Sequence, residues 1–239
     1  MAKYLTFLIL FALLTSGCAT SPEVIADARD PWQGFNRKVY SFNDALDRSF
    51  LVPAATGYRA VTPDIAEKAV HNFFSNLNDL GVAFNNTLQF KFLDAASDIG
   101  RIIVNSTIGL LGIMDVASHM GLEKHNEDFG QTLGYWGTGT GPYIVLPFFG
   151  PSNLRDGPGK VVDGLIYPPN WADIKTRERN VLFAIDTINT RAELMVTEEK
   201  AKELSRDRYV FIRDAYLDNR EFLVNDGQLP PDTELYDEL

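Results

Sequence analysis

Cysteine is almost absent: the 239-residue chain has one, Cys18. A single cysteine has no partner for an internal disulfide, so no covalent frame holds the fold. Basic residues are scarce. Lys and Arg total 22 against 32 Asp and Glu, a net charge of −10. An acidic surface is repelled by phosphate backbones and anionic headgroups, which argues against nucleic acid and against a polybasic lipid clamp. Long apolar runs are missing too. No stretch reaches the ~20 residues that a spanning helix needs.

Chemistry-bearing motifs are equally sparse. The only histidines are His71, His119 and His125. His119, Glu123, His125 and Asp128 are close in sequence but lack H-E-x-x-H spacing, so a polar surface loop is expected there. Gly137-Thr138-Gly139-Thr140-Gly141 is glycine-rich without the G-x-G-x-x-G spacing, and Pro142 removes a backbone donor. Gly150-Pro151-Ser152-Asn153-Leu154 lacks the last glycine of a G-x-S-x-G elbow. No catalytic set is found, so no enzyme, metal or cofactor is expected.

The N-terminus is informative. Lys3 supplies a positive charge, and Tyr4 to Leu14 is almost wholly apolar. That is the length of an export signal, roughly 7–15 residues. Thr15, Ser16 and Gly17 are small, and Cys18 follows. The segment resembles the lipobox of bacterial lipoproteins, with Thr15 where Leu is usual. Cleavage between Gly17 and Cys18 and acylation of Cys18 are expected. Each buried methylene contributes about 0.8 kcal/mol, so several chains make a stable anchor. Ala19, rather than Asp, follows the cysteine, which by the same resemblance implies passage to the outer membrane.

Four segments follow from the patterning: a cleaved signal over 1–17, a lipidated tether over 18–29, a helical domain over 30–225, and an acidic tail over 226–239 whose composition predicts disorder. Within the domain, Phe35, Val39, Phe42, Leu46 and Phe50 share one helical face, and Pro53 is expected to end that helix. A second helix is expected from an N-cap at Thr62 and Pro63 at its first position. Its apolar stripe is Ile65, Ala69, Phe73, Leu77, Leu80, Phe84 and Leu88. Its other face is rich in amides, including Asn76, Asn85 and Asn86. Such a face suits a wet interior beside hydrocarbon or an ordinary surface. Ile102 to Met114 carries no charge and reads either as a buried helix or as an interfacial one. Tyr143 to Phe149 reads as a short strand broken by Pro147, and Gly150 to Gly159 as loop. The C-terminal third is helical again, with capping-box spacing at Thr190 and Glu193. The fold class is mainly α, with a glycine-rich irregular centre and at most short strands.

Several stretches resemble one family, the MlaA/VacJ lipoproteins. They are Asp30-Pro31-Trp32-Gln33-Gly34-Phe35-Asn36-Arg37, the segment from Asn105 to Gly112, the run from Asp128 to Tyr143, Arg155-Asp156, Thr190 to Leu194, and Arg213 to Tyr216. The resemblance implies a ring of helices in the inner leaflet of the outer membrane, pierced by a polar channel. It implies removal of mislocalised phospholipid from the outer leaflet, which keeps the two leaflets different. A trimeric porin and a periplasmic lipid carrier are the implied partners. On that reading Phe42, Asn43, Asn76, Asn85 and Asn86 are candidates for lining or gating the channel. Ile102, Ile103, Leu110 and Leu111 are candidates for facing lipid. Met120, Gly121, Leu122, Glu123, Lys124, His125 and Asn126 occupy the place of a hairpin over the channel. A non-transporting adaptor between porins and periplasmic proteins is the alternative, and a lipid-cleaving enzyme a third reading.

Overall fold

The computed structural model describes residues 27–201 and 207–228. The signal, Cys18, most of the tether and residues 229–239 lie outside the described residues.

The first helix, α1, spans Gln33–Leu46. The chain does not stop at Pro53 as the sequence suggests. It widens into a π-helical turn, Asp47–Leu51, and continues as α2, Val52–Val61. Pro53 falls in the first turn of α2, where a missing N–H costs little. The second expected helix, α3, spans Asp64–Leu88, with Pro63 as N-cap in place of Thr62 and no side-chain cap bond. Phe90, at φ 62, turns the chain into α4, Phe92–Thr107, which packs along α3.

A short helix α5, Val116–His119, is capped by Asp115 through the Ser118 N–H. Residues 122–128 are irregular. Asp128 then caps α6, Phe129–Tyr135, through the Gln131 N–H. Strand β1, Tyr143–Leu146, pairs antiparallel with β2, Gly150–Asn153, from Tyr143 opposite Asn153 to Leu146 opposite Gly150. The expected loop from Gly150 to Gly159 is thus corrected: it is strand to Asn153, a turn at 154–155, and helix from Asp156. Gly150, at φ +74, closes the turn. Pro151 faces Val145, whose N–H points away to Asn36, so the missing proline donor breaks no ladder bond.

Helix α7 spans Asp156–Ile166, α8 Pro168–Trp171, α9 Thr176–Ala201 and α10 Arg208–Val224. Helix α9 runs unbroken through Thr190, so no helix starts there. Glu193 pairs instead with His71, Oε1 to Nδ1 2.9 Å. Asp226 is held by Lys91, and the Gly227 N–H donates to the Phe222 carbonyl at 2.9 Å, closing α10.

The distribution of polarity is reversed from that of a soluble bundle. Part of the apolar stripe expected on α3 faces outward: Ile65 is 82 % exposed, and Leu80 and Phe84 are exposed too, while Ala69, Phe73, Leu77 and Leu88 are half-buried. Asn76, Asp79, Asn85 and Asn86 face inward. Asp98, Arg101 and Asn105 do the same on α4. The buried apolar core is small, built on Tyr143, Val145, Tyr209 and Leu217. Charged residues are almost never fully buried unless paired, and large exposed apolar surfaces mark contact with lipid or protein.

The segment 102–114 resolves into two parts. Helix α4 ends at Thr107, and 108–114 is a turn, so no buried helix fills the stretch. Ile103, Leu110 and Leu111 are exposed, while Ile102 is half-buried. Leu110 and Leu111 adopt φ 54 and 61, a left-handed conformation that leucine rarely takes. The turn is held by Gly112 N–H to Asn105 O at 2.8 Å and by Asn72 Nδ2 to Ile113 O at 3.0 Å. Among the described residues no helix is long and apolar enough to cross a membrane.

Candidate functional site: a polar cleft joined to an apolar pocket

Helix α1 positions the hairpin. Asn36 and Asn43 lie seven residues apart, two turns along one face. Asn36 Nδ2 donates to the Tyr143 carbonyl at 3.0 Å, and its Oδ1 accepts from the Val145 N–H at 2.9 Å. Asn43 does the same one step on, donating to the Leu146 carbonyl at 2.9 Å and accepting from the Phe148 N–H at 2.8 Å. Two amides thereby imitate a third strand on the free edge of β1. Phe42 is exposed and sits edge-on to Phe148, ring centres 5.5 Å apart.

A buried ionic cluster holds the connection after α5. The Arg101 guanidinium reaches Asp79 at 3.3 Å, Asp115 at 3.2 Å, the Ser118 hydroxyl at 2.9 Å and the Leu122 carbonyl at 2.9 Å. Lys124 pairs with Asp79 from the other side. His125 Nδ1 meets Asp98 at 2.8 Å, and Asn86 Nδ2 donates to the same carboxylate at 2.7 Å. Burial pushes Asp115 upward, but hydrogen bonds from Ser118 and Asn105 and the charge of Arg101 outweigh it and hold the carboxyl at about 2. Burial dominates at Asp79 and raises it. Removing one member of such a network strands a buried charge, at a cost of about 3–5 kcal/mol.

Packing runs in a closed circuit. Helix α9 packs on α3, α3 on α6, α6 on α7, α7 on α8, and α8 back on α9. Within this circuit lies a polar cleft of ≈ 480 Å³, bordered by His71, Ser75, Asn78, Lys124, Asn126, Asn189 and Glu193. A smaller recess of ≈ 120 Å³ shares Asn78 and Asn126 and reaches Asp163. Burial pushes the Asp163 carboxyl up to about 6, partly offset by the Phe129 N–H, which donates to it at 2.9 Å. Beside the cleft lies a larger pocket of ≈ 900 Å³, walled by Ile144, Leu146, Phe149, Val161, Leu182 and Phe183. Tyr167 borders all three spaces, and Asp186 borders the cleft and the pocket.

A model of the MlaA lipoprotein family matches residues 28–223. The chain belongs to that family.

Relatives agree with this across most of the chain. The intermembrane phospholipid transport system lipoprotein MlaA of Escherichia coli (strain K12) is 34% identical over 236 residues, 97% of this chain and 92% of that one. Its namesake in Haemophilus influenzae is 30% identical, covering 92% and 90%. A solved structure described as the structural basis for maintenance of bacterial outer membrane lipid asymmetry aligns with a TM-score of 0.71 at 32% identity. It covers 82% of this chain and 99% of its own.

The residues singled out from the sequence of this MlaA-family chain fall in different places. Lys124 and Asn126 border the cleft, and Met120, Gly121 and Glu123 are exposed beside them. No strand pairing occurs within 120–126 among the described residues. Asn85 and Asn86 are buried in helix packing, Asn85 against Asp163 and Thr132, Asn86 against Asp98. Asn76 bonds the Ser106 hydroxyl at 3.0 Å. The amides on the cleft wall are Asn78, Asn126 and Asn189. Tyr167 and Asp186 were not legible as site residues: one follows a helix end before two prolines, the other sits mid-helix, and only the packing of α7, α8 and α9 brings them together.

Proposed function

We propose that this protein is an outer-membrane lipoprotein that removes mislocalised phospholipid from the outer leaflet, passing headgroups through the polar cleft inside the ring. The observation that carries this is the inverted polarity. Leu93, Leu111, Phe148 and Leu165 face outward, while Asp79, Asp98 and Arg101 face the interior. That arrangement suits a body seated among acyl chains with a wet interior. A headgroup in an apolar slot would cost several kcal/mol, so a conduit for lipid needs polar walls.

The anchor on Cys18 and the exposed apolar turn at 108–114 hold the ring in one leaflet. Lys124 and Asn126, pinned by Asp79 and by Gln131, form one wall of the passage. A trimeric porin steadies the ring laterally, and a periplasmic carrier receives the lipid. No covalent bond changes in this scheme.

Deleting the gene tests it. Phospholipid should accumulate in the outer leaflet, read by labelling of surface-exposed headgroups in whole cells. An unchanged outer leaflet would sink the proposal.

A further inference from the structure

The ≈ 900 Å³ pocket falls within the usual span of ligand sites, about 300–1,000 Å³. Its walls are apolar, yet three charged side chains border it: Lys160, Arg179 and Asp186. Among the described residues none of the three forms an ion pair. Arg179 Nε donates only to the Pro169 carbonyl at 2.8 Å. Asp186 has the Tyr167 hydroxyl as its hydrogen-bond partner. Asp79, Asp115, Asp128 and Asp156 each face an arginine or lysine.

Arg179 and Asp186 are seven residues apart on α9, so both point to the same side, about 10 Å apart along the axis. A half-buried charge without a counter-ion is costly, and a ligand group of opposite charge relieves it at Arg179 and at Asp186. An anion fits beside Arg179 and Lys160, and a cation beside Asp186. The apolar walls of the rest of the pocket suit a hydrocarbon tail.

We propose that this pocket seats a phospholipid with a zwitterionic, primary-ammonium headgroup, Asp186 meeting the ammonium and Arg179 with Lys160 meeting the phosphate. This rests on the lipid-conduit reading above and adds a headgroup preference to it. A lipid with a neutral glycerol headgroup satisfies the cations and leaves Asp186 bare. Asp186 also borders the polar cleft, so it stands where an amphiphile passes from one space to the other. Burial raises the Asp186 carboxyl, as expected for an anion awaiting a cation.

The test uses the full lipidated chain in nanodiscs and lysolipids with a fluorescent tail. Lysophosphatidylethanolamine should bind at least fivefold more tightly than lysophosphatidylglycerol. Asp186→Asn should bring that ratio to about one without weakening the glycerol lipid, and Asp186→Glu should restore it. Arg179→Gln should weaken both lipids alike. Phosphoethanolamine without a tail should bind at least tenfold more weakly than the lysolipid. Helical circular dichroism checks that each variant is folded. Equal affinities in the unmodified protein, or a ratio untouched by Asp186→Asn, overturn the inference and leave the conduit standing. If tail-free phosphoethanolamine binds as tightly as the lysolipid, the pocket is not a lipid seat. Loss of surface phospholipid removal is a separate readout, and it alone bears on the conduit.

Discussion

Asp163 is a carboxylate whose burial works against its charge. Its folded value of about 6 lies above the ordinary 3.8. Between these values the folded state binds more protons than the unfolded one, so stability falls as pH rises from about 4 to about 6 and levels off above. Asp163→Asn removes that slope while changing the bond to Asn85 Nδ2 at all pH. Melting curves of the variant and the parent should therefore diverge across pH 4 to 6 and run parallel above it. Parallel curves throughout would show that Asp163 is not held above its ordinary range. A second prediction at this scale concerns Gly159. A Cβ there would lie 2.8 Å from the Gly130 amide nitrogen, which is backbone and has little freedom to move. Gly159→Ala should cost about 1–3 kcal/mol, measured by thermal or denaturant unfolding. An unchanged midpoint would mean that α6 and α7 can slide apart.

At the scale of elements, the grip of α1 on the hairpin depends on a seven-residue interval. Deleting Phe42 or Asn43 rotates everything beyond it by about 100°. Asn36 would keep Tyr143 and Val145, but the bonds to Leu146 and Phe148 would be lost. The hairpin forms a wall of the apolar pocket through Leu146 and Phe149, so loosening it should leave the ring misgated. Faster entry of large antibiotics into cells carrying the deletion is the expected outcome. A normal barrier would separate α1 from control of the passage. The helices themselves were legible in sequence, because periodicity reports which residues share a face. Which face turns inward was not. On α3 the periodic stripe was read correctly, but only the packing of Asp79 on Arg101 and of Asn86 on Asp98 reveals that the polar side is the interior. Pro53 misled because a proline ends a helix only where its N–H is needed, and the π turn ahead of it removes that need. The strand at Gly150–Asn153 was hidden because its ladder tolerates Pro151.

For the whole molecule, an outward apolar surface and an inward ionic one define a body made for a boundary. Among the described residues no helix is long and apolar enough to cross a membrane, and in the proposed scheme attachment falls to acylated Cys18. Cys18→Ser should leave the helical content of the purified protein intact and abolish removal of surface phospholipid. Full activity in the unlipidated form would detach the anchor from the function. The candidate site was legible only in part. Its polar chemistry was visible as an amide-rich helix and a polar connection at 120–126. Its borders at Tyr167, Asp186 and Asn189 were not, since this part of the chain meets α3 and the 120–126 connection only in the fold.

The measurement closest to the central claim narrows the cleft without disturbing the ring. Ser75→Trp with Asn78→Phe places bulk where the cleft and its recess meet α3. Surface-exposed phospholipid is then quantified in cells producing this variant, with co-purification of a porin as the control for assembly. The passage reading predicts accumulation close to that of the deletion strain, with porin binding retained. A normal outer leaflet alongside retained assembly would contradict it and favour an adaptor that carries no lipid through its interior.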